Sequence, residues 1–160
     1  MTKATQNGRL NPLPKCVIHI PEAGTIELNN LPDISDSKSA VYNNEGIIGR
    51  SFPLYTYSHS ADRQINLQLH FFVVEPTDAN KNLADLRKLQ SAVYPRPGDS
   101  GVPYKPPPVC RIRCGDLLGF GGVCAVLQSY SVRFPTEVAW YETTYCPYRF
   151  DVDTSWLVVY

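Results

Sequence analysis

Cysteine is the residue type of this chain with the most specific potential chemistry, because clustered thiols bind zinc. Cys110 and Cys114 have a spacing that zinc ligands also use, but they flank the strand-like residues Arg-Ile-Arg. Four residues of extended strand separate the two thiols by about 13 Å, too far for one metal ion. We therefore predict no metal site and no cofactor. We expect five free thiols in a reducing cytoplasm, packed as small apolar side chains: Cys16, Cys110, Cys114, Cys124 and Cys146.

A cysteine or carboxylate nucleophile would need a histidine base beside it. His19 and His70 lie in segments where polar and apolar residues alternate, which predicts that both are on sheet faces. His59 follows Tyr57 and Ser58 in a polar segment and is the best candidate for an exposed base. A hydrolase that uses His59 with a thiol or a carboxylate is therefore one alternative function.

Two further residue sets have weaker potential. Asp151 and Asp153 share one face of a predicted strand about 7 Å apart, a separation that could suit an acid–base pair of carboxylates. With Arg149 beside them, a solvated strand face is the preferred interpretation.

A glycine cluster lacks the Lys-Ser or Lys-Thr of a phosphate-binding loop. Turns with positive φ explain its members, which are Gly119, Gly121 and Gly122.

The composition indicates one globular domain. The chain has 160 residues, of which 43% are hydrophobic and 19% charged, and that length can bury a core of its own. The formal net charge is zero and no long basic run occurs, which argues against capture of nucleic acid through its phosphates. No apolar stretch approaches the roughly 20 residues of a membrane helix, so no membrane anchor is predicted. Near-zero net charge favours self-association.

Alternation of apolar and polar residues predicts three long strands. The clearest covers residues 148–160 and places Phe150 and Trp156 on one face. Similar alternation occurs at 63–74 and at 121–135. These strands must form the sheet that positions every other residue.

One helix is predicted over about 78–93, with Thr77 or Asp78 as its N-cap. Its apolar stripe toward the sheet consists of residues at helical spacing, namely Leu83, Leu86, Leu89 and Val93. Its solvent face is expected to contain Asn82, Asp85, Arg87 and Lys88.

The remaining segments complete the predicted organisation. Residues 1–14 are polar and aperiodic, which predicts an extended N-terminal arm, and residues 15–160 are predicted to form a single β domain. Residues 29–49 are rich in Asn, Asp and Ser, which predicts a long loop that is functional or a binding segment. Strands with a single inserted helix favour an α+β fold that is mainly antiparallel β.

The segment 140–148 is aromatic and permits two interpretations. Trp140, Tyr141 and Tyr145 could form a platform for sugar rings, which would make the chain a carbohydrate- or cell-wall-binding module. They could equally form a protein interface, where Tyr and Trp are enriched.

The order of elements from Ser51 onward carries a family resemblance. The residues involved are Phe52-Pro53, 57–60, Arg63, the strand 65–72, the helix 82–89, Tyr94-Pro95, 106–109, 114–117, 129–134 and Cys146-Pro147 with the last strand. This order resembles small baseplate and tail-tube-like proteins of contractile-tailed bacteriophages. The resemblance covers about two thirds of the chain, and the N-terminal third has no match.

The resemblance implies a tail-tube-like β-sandwich or split barrel with one flanking helix. It also implies a virion protein, made in the host cytoplasm, without catalytic activity. Copies would join into a ring with other baseplate, hub and tube proteins, around a channel through which the genome passes without sequence-specific binding. The residues that we expect at contacts between subunits are Tyr42, Gly46, Ile47, Trp140, Tyr141 and Tyr145.

Overall fold

The computed structural model describes residues 16–28 and 30–159. The predicted N-terminal arm at 1–14 and residue Tyr160 lie outside the described residues. The helix of the described part is α1 (Pro76–Ser91). The strands are β1 (Cys16–Ile20), β2 (Gly24–Leu28), β3 (Asp33–Ser37), β4 (Ala40–Glu45), β5 (Leu54–Ser60), β6 (Gln64–Phe72), β7 (Arg96–Pro97), β8 (Tyr104–Lys105), β9 (Cys110–Cys114), β10 (Val123–Arg133), β11 (Trp140–Tyr141), β12 (Cys146–Pro147) and β13 (Arg149–Val158).

The main structural unit is a seven-stranded antiparallel sheet in the order β2-β1-β9-β10-β13-β6-β3. The sheet curls so that β2 approaches β6, but it is not closed into a barrel. The described residues also form three two-stranded sheets, which are β4–β5, β7–β8 and β11–β12. The prediction of a mainly antiparallel β fold with one flanking helix is confirmed.

Alternation along the central strands separates a buried face from a polar one. β13 pairs with β6 along nearly its whole length. Each buried apolar side chain stabilises the fold by about 1.5–3 kcal/mol, and a slip of one residue would expose the whole set. The strands predicted at 63–74, 121–135 and 148–160 are confirmed as β6, β10 and β13. The buried residues of β6 and β13 are Ile65, Leu67, Leu69, Phe71, Phe150, Val152, Thr154 and Trp156.

The helix begins earlier than predicted. Its N-cap is Glu75 and its first residue is Pro76, so the predicted caps Thr77 and Asp78 are wrong. Asp78 instead accepts hydrogen bonds at Oδ2 from the amides of Glu75 and Val74, at 2.9 and 3.1 Å. These two bonds hold the pKa of Asp78 below its usual range. A carboxylate in the first turn can satisfy amides upstream of the helix as well as cap it.

The predicted solvent face of the helix is wrong at two positions. Asn82 and Asp85 are buried, and Asn82 Nδ2 donates to the carbonyl of Phe72 at 2.9 Å. Burial raises the pKa of Asp85, while Lys88, whose Nζ lies 3.3 Å from Asp85 Oδ1, opposes that rise. Lys88 Nζ also donates to the carbonyl of Thr25 at 3.3 Å, which ties the helix to β2. The helix therefore docks through polar bonds as well as through its leucines.

The long loop predicted at 29–49 is wrong over most of its length, because it contains β3 and β4. β3 pairs with β6, and β4 pairs with β5. Neither strand has a fully buried residue, so neither shows the alternation by which strands are recognised. Their backbone hydrogen bonds are supplied by partners more distant in sequence.

The prediction of five free thiols is also wrong, since Cys16 and Cys114 form a disulfide. The two residues lie directly opposite each other on β1 and β9, but 98 positions apart in sequence. Closing a chain loop of that size stabilises a fold by about 4–5 kcal/mol through the unfolded state in the chain-entropy model. Cys110 and Cys146 are free and buried, as predicted for apolar side chains.

The glycine cluster provides a test of local packing. Gly122 has a φ of 86°, and a Cβ there would lie 2.4 Å from the carbonyl oxygen of Ile112. Gly119 has a φ of 122° and open space around its Cα. We expect Gly119→Ala to lose about 1–2 kcal/mol from backbone strain alone, and Gly122→Ala to lose a further 1–3 kcal/mol or so from the clash. Urea unfolding of both variants measures the difference, and equal losses would contradict it.

Candidate interaction surfaces

The most exposed part of the described structure is a two-stranded extension, which we call the arm (residues 40–60). It consists of β4, β5 and the turn between them, and every residue of both strands is exposed. Several of its large apolar and aromatic side chains face solvent. They are Val41, Tyr42, Ile47, Ile48, Phe52, Leu54, Tyr55 and Tyr57. Single exposed apolar residues are ordinary on protein surfaces, but eight such residues on one small extension are typical of an interaction site.

The base of the arm is fixed to the main sheet. Its two strands continue β3 and β6, and Ala61 N donates to the carbonyl of Ser39 at 2.8 Å where the two pairs of strands join. Arg63 forms an ion pair with Asp36, in which Nε lies 2.9 Å from Oδ1. The same guanidinium donates to the carbonyl of Leu118 at 3.3 Å. The arm is therefore a separate two-stranded sheet that is joined to the main sheet at its base, rather than a loop.

The strands of the arm pair along six positions, but few side-chain contacts are formed within its described residues. The rings of Tyr42 and Tyr57 meet edge to face with centroids 5.8 Å apart, and Tyr57 Oη lies 2.9 Å from Ser60 Oγ. An isolated two-stranded hairpin is at best marginally stable in water. Docking on another surface would bury the tyrosines and stabilise the arm.

A second aromatic surface, which we call the aromatic end (residues 134–148), lies around β11 and β12. Phe134 packs between Phe150 and Trp140, with ring centroids 5.5 and 6.4 Å away. Trp140 Nε1 donates to the carbonyl of Pro135 at 3.2 Å. Tyr145 has a φ of 51° and its side chain is 82% exposed. This surface is anchored on the core and partly open to solvent.

The arm and the aromatic end lie at opposite ends of the sheet. β6 begins at Gln64, next to the base of the arm, and ends at Phe72, which pairs with Arg149 just after β12. Nine residues of strand separate these ends by about 27 Å. The six predicted contact residues therefore divide into two groups. Tyr42, Gly46 and Ile47 are in the arm, whereas Trp140, Tyr141 and Tyr145 are at the aromatic end.

The face of the sheet turned away from the core is polar, and we call it the polar face. A shallow groove of about 520 Å³ crosses β3, β6, β13 and β10 on this face. Among the described residues, no lysine or arginine lines it. The outward-facing side chains along it are Asp33, Ser35, Asn66, Gln68, Ser129, Ser131, Asp153 and Ser155.

His70 lies on the polar face between two carboxylates, which confirms its predicted place on a sheet face. Its Nδ1 is 2.7 Å from Asp151 Oδ1, and its Nε2 is 3.3 Å from Asp33 Oδ2. The hydrogen bond with Asp151 raises the pKa of His70 against the opposing effect of burial, and Asp33 adds to the rise. Arg149 Nε lies 3.8 Å from the same Asp151, as expected for a solvated strand face.

The residues proposed for hydrolysis are not brought together within the described part of the chain. His59 is exposed on the arm, and its Nδ1 lies 3.1 Å from Ser58 Oγ. Burial raises the pKa of the Cys110 thiol to about 11 and also raises that of Cys146, so both thiols are poor nucleophiles at neutral pH. Asp151 and Asp33 lie against opposite nitrogens of the His70 ring, so their carboxylates do not converge on a common point. Among described residues, no three acidic, histidine or cysteine side chains form a group that could hold a metal ion.

Comparisons with known proteins assign no family to the chain, so its function is argued from these surfaces. A scan against models of protein families finds no match to the chain. A search of curated proteins also finds none. In the described residues, no helix has the length and apolar character to cross a membrane.

Sequence reasoning missed most of the arm. The prediction included Tyr42 and Ile47 but left out Tyr55, Tyr57 and Phe52, which are at least as exposed. The alternation of Leu54, Tyr55, Thr56 and Tyr57 with no charged residue was the available signal. It is ambiguous by itself, because an aromatic strand is more often buried than exposed.

Proposed function

We propose that this protein is a structural subunit of a bacteriophage contractile tail, in the baseplate hub or at the start of the tail tube. The exposed arm is the observation that carries the proposal. A ribbon of aromatic side chains without a core of its own is costly in a monomer and useful in an assembly. Its position opposite the aromatic end supports head-to-tail contacts, in which one surface of a copy meets a different surface of the next.

The polar face supports a wall along a water-filled channel. It is broad, rich in serine and amide side chains, and carries aspartates without lysine or arginine in the groove. Nucleic acid binds proteins mainly through its phosphates and basic side chains. A groove of this composition would let a genome pass without holding it.

The open edges of the sheet support lateral joining of subunits. Among the described strands, β2 and β3 are the outer strands of the seven-stranded sheet, and each pairs with a single neighbour in that sheet. Exposed strand edges are a hazard in a solitary protein and become joints when another strand pairs with them. Lateral pairing would align the polar faces of neighbours around a common channel.

The carbohydrate-binding alternative finds less support. Trp140 and Tyr141 are consecutive residues of β11, so their side chains point to opposite sides of the strand. Tyr141 also meets the Tyr148 ring edge to face at 6.2 Å. A platform for sugar rings needs aromatic faces exposed on one side, and these two residues do not provide it.

The proposal is tested by the state of the protein in solution and in virions. We expect the purified chain at micromolar concentration to form a ring-sized oligomer by light scattering, or to form one when mixed with neighbouring tail proteins. We also expect mass spectrometry to find the chain in purified tailed particles of the phage that encodes it. The proposal would be overturned if the chain stays a monomer both alone and with neighbouring tail proteins and is also absent from those particles.

A further inference from the structure

We infer that His70 is a proton-controlled latch that fastens the edge strand β3 to the interior of the sheet. His70 lies on β6, which runs between β13 and β3. Its ring contacts one carboxylate on each flanking strand, Asp151 on β13 and Asp33 on β3. One side chain thus spans three strands at the point where β3 begins.

The geometry favours a protonated ring. Both ring nitrogens face carboxylate oxygens, which only accept hydrogen bonds when ionised. A neutral imidazole has one N–H, so it can satisfy only one of the two partners. Imidazolium has two N–H groups and satisfies both Asp151 and Asp33 at once.

Loss of the proton should release Asp33 rather than Asp151. The Asp151 contact is shorter, at 2.7 Å against 3.3 Å, and its side chain is 33% exposed against 78% for Asp33. The remaining proton therefore stays on Nδ1, facing Asp151. The bare Nε2 then repels the Asp33 carboxylate, which moves into water and frees the start of β3.

The other end of β3 is fastened by a bond that does not titrate near neutral pH. Arg63 pairs with Asp36, a contact that lowers the pKa of the carboxyl and raises that of the guanidinium. A rise in pH should therefore loosen the Asp33 end of the strand and leave the Asp36 end in place. The latch therefore acts at the end of β3 farther from the arm, whereas the ion pair of Arg63 with Asp36 holds the end that leads into the arm.

Among the described residues, other charges near His70 belong to four elements. Beyond the two aspartates they are Arg149 of β13, Arg133 of β10, which lies opposite Asp151, and Glu27 of β2 and Lys81 of α1, which line a small cavity that His70 also borders. Among all these groups, Asp151 and Asp33 are the ones that raise the pKa of His70.

The sign of the pH effect follows from the raised pKa of His70. In the unfolded chain the histidine titrates near 6.5. The latch stabilises β3 fully below that pH, and its contribution is lost as the pH rises through the higher pKa of the folded state. The strand edge should therefore be most open above neutral pH.

NMR of the full chain tests the latch through two quantities, the titration of the His70 ring and the amide exchange of residues 33–37. After correction for intrinsic exchange, we expect the opening equilibrium of β3 to rise about two- to fivefold as His70 loses its proton, the size typical of a half-exposed ion pair. His70→Gln should abolish this pH dependence, and Asp33→Asn should lower the His70 titration midpoint.

Arg63→Gln is the matched control, because it loosens β3 without a titratable group. It should raise the opening equilibrium at every pH by the same factor and leave the His70 midpoint nearly unchanged. Amides of β13 should stay equally protected in all variants, which shows that the fold is intact. A β3 opening that is independent of pH in the unmodified chain, or equally dependent on pH in His70→Gln, would overturn the inference.

Discussion

Replacement of Trp156 by alanine is expected to lower the free energy of unfolding by about 3–5 kcal/mol. The indole is completely buried near the end of β13, where the residue pairs with Leu127 on one side and Ile65 on the other. Its Nε1 donates to Thr154 Oγ1 at 2.8 Å, and that hydroxyl donates to the carbonyl of Leu67 at 3.0 Å. Alanine would leave a cavity and remove one partner of the buried hydroxyl.

Urea unfolding followed by circular dichroism measures this loss. Val159→Ala is the control, because that residue lies three positions further along and is 44% exposed. It should cost no more than about 0.5 kcal/mol. Because domains of this size have only about 5–15 kcal/mol of stability, Trp156→Phe serves as a milder variant if the alanine protein does not fold. A loss below about 1 kcal/mol in the alanine variant would contradict the burial of the indole.

Removal of two arm tyrosines, Tyr55→Ser with Tyr57→Ser, is expected to abolish assembly while the monomer stays folded. Both side chains are about 60% exposed, at 63% and 59%, and belong to a strand that lies outside the main sheet. Their loss removes little from the core. In an interface, each aromatic anchor contributes about 2 kcal/mol or more, so the affinity between subunits should fall by roughly a thousandfold.

Light scattering over a concentration series measures the effect on assembly, and thermal unfolding shows whether the fold is kept. Tyr104→Ser is the matched control, because Tyr104 is 64% exposed but lies on β8, outside the arm. It should leave the oligomer intact. Equal weakening by the arm and control variants, or an unchanged oligomer in the arm variant, would show that the arm is not the contact surface.

The parts of the fold that sequence predicted well are those where one face is buried and the other is wet. β6 and β13 show uninterrupted alternation, so their faces and approximate limits follow from period alone. The helix was found from its leucines, although its start was misplaced by two residues. Asp78 misled the prediction because a side chain that caps from inside the first turn has the same residue type as a true N-cap.

The predictions that the structure contradicts failed for a different reason. Asn82 and Asp85 are polar residues that are buried because Phe72 and Lys88 satisfy them, and residue type does not report on such partners. β3 and β4 are strands because other strands supply their hydrogen bonds, although neither buries a residue fully. Cys16 and Cys114 are joined because β1 lies next to β9. The disulfide and the pairing of β3 depend on neighbours that are distant along the chain, whereas Asn82 and Asp85 have partners within ten residues, at Phe72 and Lys88.

For the candidate surfaces, too, the sequence indicates residue types, and the fold decides their arrangement. The sequence contained enough to place tyrosines and a tryptophan at contacts, since exposed aromatic residues are typical of interfaces. It did not contain their arrangement. Only the topology shows that Tyr42 and Trp140 lie at opposite ends of one sheet, and that His70 faces an aspartate on each side.

The sequence by itself determined that this chain is a mainly antiparallel β domain with one helix, and which faces of its long strands meet the core. Periodicity is a local property, and burial of apolar side chains acts on it directly. Tertiary structure alone decided the arm, the disulfide, the polar anchoring of the helix and the pairing of His70 with two carboxylates. The disulfide and the His70 contacts join residues far apart in the chain, and all of these features depend on packing that no single segment encodes.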